Sequence, residues 1–367
     1  MFNDWLSNTS YLFTNPRAEG SSQNKVTLAD LPDVPNHIWL ASSGTTRNSM
    51  VFYGLSKLAL LTSAKSVNAH LQISESDIWL NALPEFHVGG LSISARAFIG
   101  KNKVYNQSSE KWEALRFLEN VSDSKVTLTS LVPTQVFDLV QLQKKCPPQL
   151  RAIVVGGAKL SESLYRKGRE LGYPLLPSFG MTECCSQIAT AELSSLTSKS
   201  YPKLKLLSHV NVKLFDELLG IKSQSLFTVK VEIIDDQRHV MWRAGDWYVS
   251  EDRAQIDGEF LLPLGRAQDK VKISGELVSL NQLNEQLTAF SGEGRSAIVA
   301  VDDERRGHCP VAVFSVDDFR SSTDWIKSYN ASVLPVAKIS CAYYIKQLPK
   351  TELGKIKIVD IKKVLRV

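Results

Sequence analysis

A chain of 367 residues is long enough to bury a large core and to form two domains. Hydrophobic residues make up 43% and charged residues 22%, an ordinary globular composition; the net charge of +5, with the signs well mixed, argues against nucleic acid and suits a polyanionic small ligand. Five cysteines (Cys146, Cys184, Cys185, Cys309, Cys341) lack CxxC spacing, which argues against a zinc site or a disulfide framework and fits a reducing cytoplasm.

The first 35 residues are polar and rich in turn formers, with no basic-then-apolar leader, and no apolar run in the chain reaches membrane-spanning length. Ile38-Trp39-Leu40 reads as a strand, followed by the small, hydroxyl-rich loop Ser42-Ser43-Gly44-Thr45-Thr46. Leu55, Leu58 and Leu61 then carry helical spacing in a segment running to Leu71. Ile78 to Leu83 is a predicted strand, Trp112, Leu115 and Leu118 mark a helix face, and Val126 to Leu128 is another strand. Pro133 starts a helix, where its missing N–H is harmless. Ile153-Val154-Val155 is a strand ending in glycines, and Leu175 to Phe179 leads into a Gly-Met-Thr-Glu turn.

This alternation predicts a doubly wound, largely parallel α/β body, whose ligands bind at the carboxyl ends of its strands. From about 205 to 264 the period changes to two, as in Val229 to Ile233, and Asp257-Gly258 signals a tight hairpin, so a small β-subdomain is expected on the body. Beyond it, a ribbon at Lys270 to Ile273, a helix from about Leu280, strands at Ala297 to Val301 and Val311 to Val316, a helix near Trp325 and a strand at Ala342 to Ile345 predict a smaller α+β domain. The expected division is 1–265 and 266–367.

Several clusters have chemical potential. Backbone N–H groups and hydroxyls of Ser42 to Thr46 can wrap phosphate oxygens, helped by a following helix dipole, although the same residues would serve as a turn or N-cap. The loop is not a Walker motif, since no Gly-Lys-Ser/Thr follows. Gly156 and Gly157 end a buried strand, where a missing side chain lets a planar ring approach, and Phe179 offers an aromatic surface; packing glycines and a core phenylalanine are the alternative. Thr182 beside Glu183 places a hydroxyl next to a carboxylate that can hold Mg²⁺ through oxygen, or simply caps a helix.

These clusters come in a fixed order: Ser42 to Thr46, Gly156-Gly157-Ala158-Lys159, Ser178-Phe179-Gly180-Met181-Thr182-Glu183, Asp252, Gly265-Arg266-Ala267-Gln268-Asp269-Lys270, Ser274-Gly275-Glu276 and Pro349 to Lys355. That order resembles the adenylate-forming superfamily of acyl-CoA synthetases, luciferases and peptide-synthetase adenylation domains. The resemblance implies an ATP- and Mg²⁺-dependent acid–thiol ligase that uses CoA. Ser42 to Thr46, Gly156, Gly157, Ala158 and Ser178 to Met181 would hold ATP or AMP. Thr182 would contact the α-phosphate, Glu183 the magnesium, and Asp252 and Arg266 the ribose. Gln268 would be the hinge of a mobile C-terminal domain, Gly275 would line the pantetheine path, and Lys355 would be the catalytic lysine.

The chain departs from the family pattern in places. Arg47-Asn48-Ser49-Met50 replaces Gly-x-Pro-Lys, Phe179 stands where the family has tyrosine, Ser250-Glu251-Asp252 replaces Thr-Gly-Asp, and Gln268 replaces Asp or Lys. About forty residues precede the first loop where the family has well over a hundred, so a shortened N-terminal portion is expected. Two further blocks, Leu83 to Ile93 and Ser130 to Gln135, with Arg306 to Val311, are similar to the o-succinylbenzoate–CoA ligases of menaquinone biosynthesis. In those ligases the positions of Arg96 and Ser130 help hold the aromatic carboxylate of the substrate; a surface arginine on an amphipathic helix is the alternative for Arg96, and His87 is either a gate of the acyl pocket or a hydrogen-bonded core histidine. A different aryl- or acyl-CoA ligase, or a non-catalytic acyl-adenylate-binding protein, is the alternative. The expected partners are a small carboxylate, ATP and CoA, in a monomer or homodimer.

Overall fold

The computed structural model describes residues 1–15, 26–41, 49–234, 237–266, 270–273, 276–303, 306–351 and 354–366. The elements run β1 (Tyr11–Phe13), β2 (His37–Ala41), β3 (Ser49–Ser56), α1 (Lys57–His70), β4 (Ile78–Asn81), α2 (Val88–Gly100), β5 (Lys103–Asn106), α3 (Ala114–Asp123), β6 (Leu128–Leu131) and α4 (Pro133–Gln141). They continue with β7 (Ala152–Val155), α5 (Glu162–Glu170), β8 (Leu175–Met181), β9 (Ser186–Thr190), β10 (Leu204–Leu206), β11 (Val210–Phe215), β12 (Leu218–Ser223), β13 (Val229–Ile234), β14 (Gln237–Trp242), β15 (Trp247–Asp257) and β16 (Phe260–Arg266). Last come β17 (Lys270–Ile273), β18 (Glu276–Ser279), α6 (Leu280–Ser291), β19 (Ser296–Asp303), β20 (Gly307–Ser315), α7 (Phe319–Ser332), β21 (Ala342–Ile345) and α8 (Ile358–Leu365).

The chain divides into two compact units. One comprises Met1–Ser250 with Gln255–Leu262, the other Glu251–Ala254 with Pro263–Val367. In the first, an eleven-stranded sheet has the order β11-β12-β15-β16-β10-β9-β8-β7-β6-β4-β5. Its β5-β4-β6-β7-β8 half is parallel, and β8 to β10 and β16 continue it antiparallel. Trp79 and Leu80 are adjacent on β4 and so point to opposite faces. Leu80 packs in a cluster with Phe117 of α3, Leu139 of α4 and Leu164 of α5, whereas the Trp79 ring meets Arg96 of α2. Helices therefore cover both faces, as an α/β sheet with buried strands requires. The period-two region does not stand apart: its strands extend this sheet and, through β13 and β14, join a five-stranded sheet of order β1-β2-β3-β13-β14.

Local signals fix the ends of the helices near the site. Ser56 caps α1 by accepting from the Ala59 N–H at 3.1 Å, and Pro133 occupies the first turn of α4. Three boundaries differ from the sequence reading. Leu55 lies in β3, which pairs antiparallel with β2, so Ser42 to Thr46 leads to a strand and not to a helix. A run of β-branched and aromatic residues, Val51-Phe52-Tyr53, explains the strand. The apolar face of α3 is Phe117, Leu118 and Val121, while Trp112 precedes the helix and Leu115 is exposed. Finally, β8 continues to Met181, so the turn begins at Thr182.

In the second unit, β19, β20 and β21 form a three-stranded sheet packed on α6 and α7, and β17 pairs with β18 as a ribbon. The closing helix α8, with Ile361 buried against β19 and β20, had no counterpart in the sequence reading. Among the described residues, no helix is long and apolar enough to cross a membrane.

Candidate functional site

Because β4, β6, β7 and β8 run parallel, the segments after them emerge along one edge of the sheet. Those segments are Leu83–His87, Val132, Gly156–Lys159 and Thr182–Cys184. The topology thus gathers four of the sequence-predicted clusters at one edge, where an open α/β sheet binds its ligands.

The β8–β9 hairpin presents Ser178 to Glu183. Its pairing shifts register between Phe179 and Gly180. A Cβ on Gly180 would lie 1.9 Å from the Ser186 carbonyl oxygen, so only glycine lets the two strands approach this closely. Phe179 is half-buried and its face is partly available. Ser178 donates its hydroxyl to the Val155 carbonyl at 2.9 Å, tying β8 to the end of β7. A Cβ on Gly156 would meet that same hydroxyl at 3.1 Å, and Gly157 sits at φ +80°, where a side chain is strained. Gly157 and Ala158 are exposed, which leaves a shallow backbone ledge beside Phe179.

Thr182 opens a single 3₁₀ turn closed by Cys185 in the left-handed region at φ 54°. Glu183 follows, half-buried, with its carbonyl accepting from the Phe227 N–H at 2.8 Å. Its Oε1 accepts from the Tyr53 hydroxyl at 3.0 Å and, at longer range, from the Tyr248 hydroxyl at 3.5 Å. Both tyrosines pack edge-on against Phe227, at 5.2 and 5.3 Å between centroids, so the carboxylate is aimed by an aromatic wall. Glu183 Oε2 has no partner among the described residues. Cys184 and Cys185 are fully buried behind this turn, and burial pushes both thiols up. Neither is an accessible thiolate.

Arg96 is the sharpest feature. It projects from α2 and is 2% exposed. Among the described residues its two terminal nitrogens donate only to neutral hydroxyls, Ser130 and Ser186, both at 3.3 Å. Its guanidinium lies over the Trp79 ring at 5.7 Å, and Nε is buried without a partner among the described residues. No carboxylate among the described residues pairs with it, and burial lowers its pKa to about 9. A buried cation without a counter-ion costs on the order of several kcal/mol. The chemistry that repays this cost is an anion of the right shape, and guanidinium suits a carboxylate in particular. His87 caps the start of α2, its ring 4.6 Å from that of Phe86, and burial lowers its pKa to about 4, so the imidazole is neutral at physiological pH.

Other predicted residues fall elsewhere. Ser42 to Thr46, Gln268 and Gly275 lie outside the described residues. Asp252 and Arg266 belong to the second unit; Asp252 is half-buried on β15, and exposed Arg266 has Glu251 at 3.8 Å. Lys355 is exposed in a tight loop where the Thr351 N–H donates to the Lys355 carbonyl at 2.7 Å and Gly354 adopts φ +75°. Tyr53, Tyr248 and Ser186 were missed by sequence reasoning. Tyr248 stands four residues before Asp252 and Ser186 three after Glu183, but only pairing across strands reveals what they face.

The fold is an α/β body together with a second, α+β unit. Residues 42–224 match the model of the AMP-binding enzyme family. The chain is similar to 2-succinylbenzoate–CoA ligases of Bacillus pumilus (26% identical, covering 80% of this chain and 62% of the relative) and Staphylococcus epidermidis (28%, 82% and 64%). It therefore spans a little under two thirds of the length of these relatives. Among solved structures, o-succinylbenzoate CoA synthetase from Bacillus subtilis, in complex with the acyl-adenylate intermediate, superposes with a TM-score of 0.72 at 23% identity, covering 87% of this chain and 67% of that one. ATP-bound MatB from Rhodopseudomonas palustris gives 0.74 at 18% identity, covering 90% and 68%. These likenesses establish the fold.

Proposed function

We propose that the chain is an AMP-forming carboxylate–CoA ligase whose acid is 2-succinylbenzoate. The observation that carries this reading is Arg96: a buried guanidinium facing two hydroxyls, at the same sheet edge as a nucleotide-type glycine ledge and an oriented carboxylate. 2-Succinylbenzoate has two carboxylates. One must react, and the other needs a cation, since a charge buried without a partner is expensive. Arg96, with Ser130 and Ser186, supplies that cation.

In this reading, Gly156 to Ala158 and Phe179 clasp the adenine, Ser42 to Thr46 wrap the terminal phosphates, Thr182 contacts the α-phosphate, and Asp252 and Arg266 hold the ribose. Magnesium accompanying ATP fits Glu183, whose Oε2 lacks a protein partner among the described residues; such an ion keeps its waters and takes one or two carboxylates plus phosphate oxygens. The ion would neutralise triphosphate charge. The reacting carboxylate oxygen attacks the α-phosphorus, the bond to the β-phosphate bridging oxygen breaks, and pyrophosphate leaves. Lys355 supplies an ammonium to the charge that develops there. The C-terminal unit then turns about Gln268, withdrawing Lys355 and bringing Gly275 into play. The CoA thiol loses its proton and attacks the acyl carbon, and AMP departs as the thioester forms. Neutral His87 gates the acyl pocket.

The test is AMP and pyrophosphate release from ATP with 2-succinylbenzoate and CoA, with the thioester identified by mass. Formation of the thioester is the expected result. Tight binding of an acyl-AMP mimic without turnover would instead identify an acyl-adenylate-binding protein. Turnover with monocarboxylates alone would remove 2-succinylbenzoate as the substrate. Lys355→Ala should abolish acid-dependent ATP–pyrophosphate exchange while sparing thioester formation from preformed adenylate.

A further inference from the structure

The acid pocket depends on more than the residues that line it. The segment from Glu85 into α2 is pinned at close range. A Cβ on Gly90 would lie 2.3 Å from the Pro84 carbonyl oxygen, and the Asn81 side chain ties the same turn by accepting from the Leu83 N–H at 3.1 Å and donating to the Gly90 carbonyl at 3.3 Å. Glu85, half-buried at the tip, accepts at Oε1 from the Ser94 hydroxyl at 2.6 Å and from the Phe2 N–H at 2.9 Å, and its Oε2 lies 3.8 Å from the Met1 ammonium. Ser94 lies on α2 two residues before Arg96.

The start of the chain is therefore fastened to the helix that carries the buried cation, and its side chains reinforce the join. Trp5 is 3% exposed and belongs to one cluster with Leu91 and Ala95 of α2, Leu60 and Ala64 of α1, and Cys185 behind the Glu183 turn. Phe2 packs edge-on against Trp5 at 4.8 Å and against Tyr11 at 5.0 Å. Lys57, at the first position of α1 and 2% exposed, donates to the Ser7 carbonyl at 3.0 Å and its hydroxyl at 3.1 Å, and lies 5.1 Å from the Tyr11 ring. Asp4 gathers Lys57 at 3.4 Å and the Tyr11 hydroxyl at 2.5 Å. A surface tail would not spend a buried ammonium, a buried tryptophan and a carboxylate on its anchorage.

We propose that Phe2–Phe13 is a positioning element of the acid pocket, with Glu85 as the positioning residue that clamps it to α2 and so fixes where Arg96 stands. This rests on the reading of Arg96 as the acid-binding cation. It assigns Glu85 no contact with substrate. A displacement of about 1 Å at a charge-pairing site changes productive binding by tenfold or more.

The experiment compares Glu85→Ala with Glu85→Gln, whose amide oxygen still accepts both bonds, by hydrogen–deuterium exchange on the free protein and by steady-state kinetics. Glu85→Ala should speed exchange in peptides covering Leu83–Gly100 and residues 2–13, leave β6 to β8 protected, and raise KM for the acid about tenfold with KM for ATP unchanged. Glu85→Gln, which loses only the partly exposed ion pair with the Met1 ammonium, should stay within about twofold of the parent protein in both assays. Exchange unchanged around Leu83–Gly100, or loosened throughout the unit, overturns the proposal, as does a parallel rise in both KM values. The exchange readout needs no turnover. A parent protein inactive toward every acid would therefore sink the functional reading while the clamp stood or fell on exchange alone.

Discussion

In the proposed function, Arg96 sets stability against acid binding at a single residue. With only two hydroxyls and a tryptophan face around it among the described residues, its charge is destabilising in the free protein. Arg96→Met should therefore leave the fold as stable or stabilise it by about 1–4 kcal/mol, while raising KM for the dicarboxylate by roughly a hundredfold and leaving ATP alone. A melting curve shifted downward, with the KM unchanged, would show that the arginine is structural. The buried histidines give a second residue-scale test. His87 and His209 both fall to about 4 through burial, and neither ring nitrogen of His209 has a partner among the described residues. Their folded pKa lies below the usual value of 6.5, so between pH 6.5 and 4 the unfolded chain binds more protons. Stability is fully retained above 6.5 and falls as pH drops through that window, each group adding up to about 1.4 kcal/mol per pH unit. Urea denaturation at pH 7, 5.5 and 4.5 measures the slope, and His209→Leu should reduce it. An unchanged slope would mean that the imidazole is hydrated.

Among the elements, the β8–β9 hairpin governs the site, and Gly180 governs the hairpin. Gly180→Ala would drive a methyl into the Ser186 carbonyl. The strands must part, so we expect a loss of about 1–3 kcal/mol together with displaced Glu183 and Ser186. Thermal melting and acid KM should therefore both worsen, and a fully stable, fully active variant would contradict the geometry. The same hairpin shows what the sequence could and could not reveal. The motif from Ser178 to Glu183 stood out because its place in the order of clusters resembles the adenylate-forming pattern, since Thr182 and Glu183 alone read equally as a helix cap. The strand reaching to Met181 was not, because a glycine inside a strand reads as a turn. Leu55 misled for a related reason: apolar spacing in Leu55, Leu58 and Leu61 matches a helix, yet only the last two lie in α1, while β3 ends at Ser56. Tyr53 was invisible because the sequence reading gave it no element, and only its place on β3 shows that it faces Glu183. Arg96 was legible as a candidate, but its lack of a counter-ion depends on residues as distant as Ser130 and Ser186 and appears only in three dimensions.

For the whole molecule, the parallel half-sheet explains why clusters scattered from Leu83 to Glu183 converge. Each follows a strand, and parallel strands deliver their carboxyl ends to one edge. The alternation of strand and helix made this legible, since βαβ units impose it. The role of the first thirteen residues was not legible, because Phe2, Trp5, Asp4 and Tyr11 show no period and their partners Lys57, Glu85 and Leu91 are far along the chain. In the proposed function, one edge of the sheet holds an acyl-adenylate, with its spectator carboxylate on Arg96 and its nucleotide on the glycine ledge. A crystal structure with a non-hydrolysable acyl-adenylate mimic of 2-succinylbenzoate tests this directly. The expected result is the aromatic carboxylate paired with Arg96, adenine between Gly157 and Phe179, and the phosphate-mimicking group beside Thr182. A mimic bound elsewhere, with Arg96 still facing only Ser130 and Ser186, would contradict it.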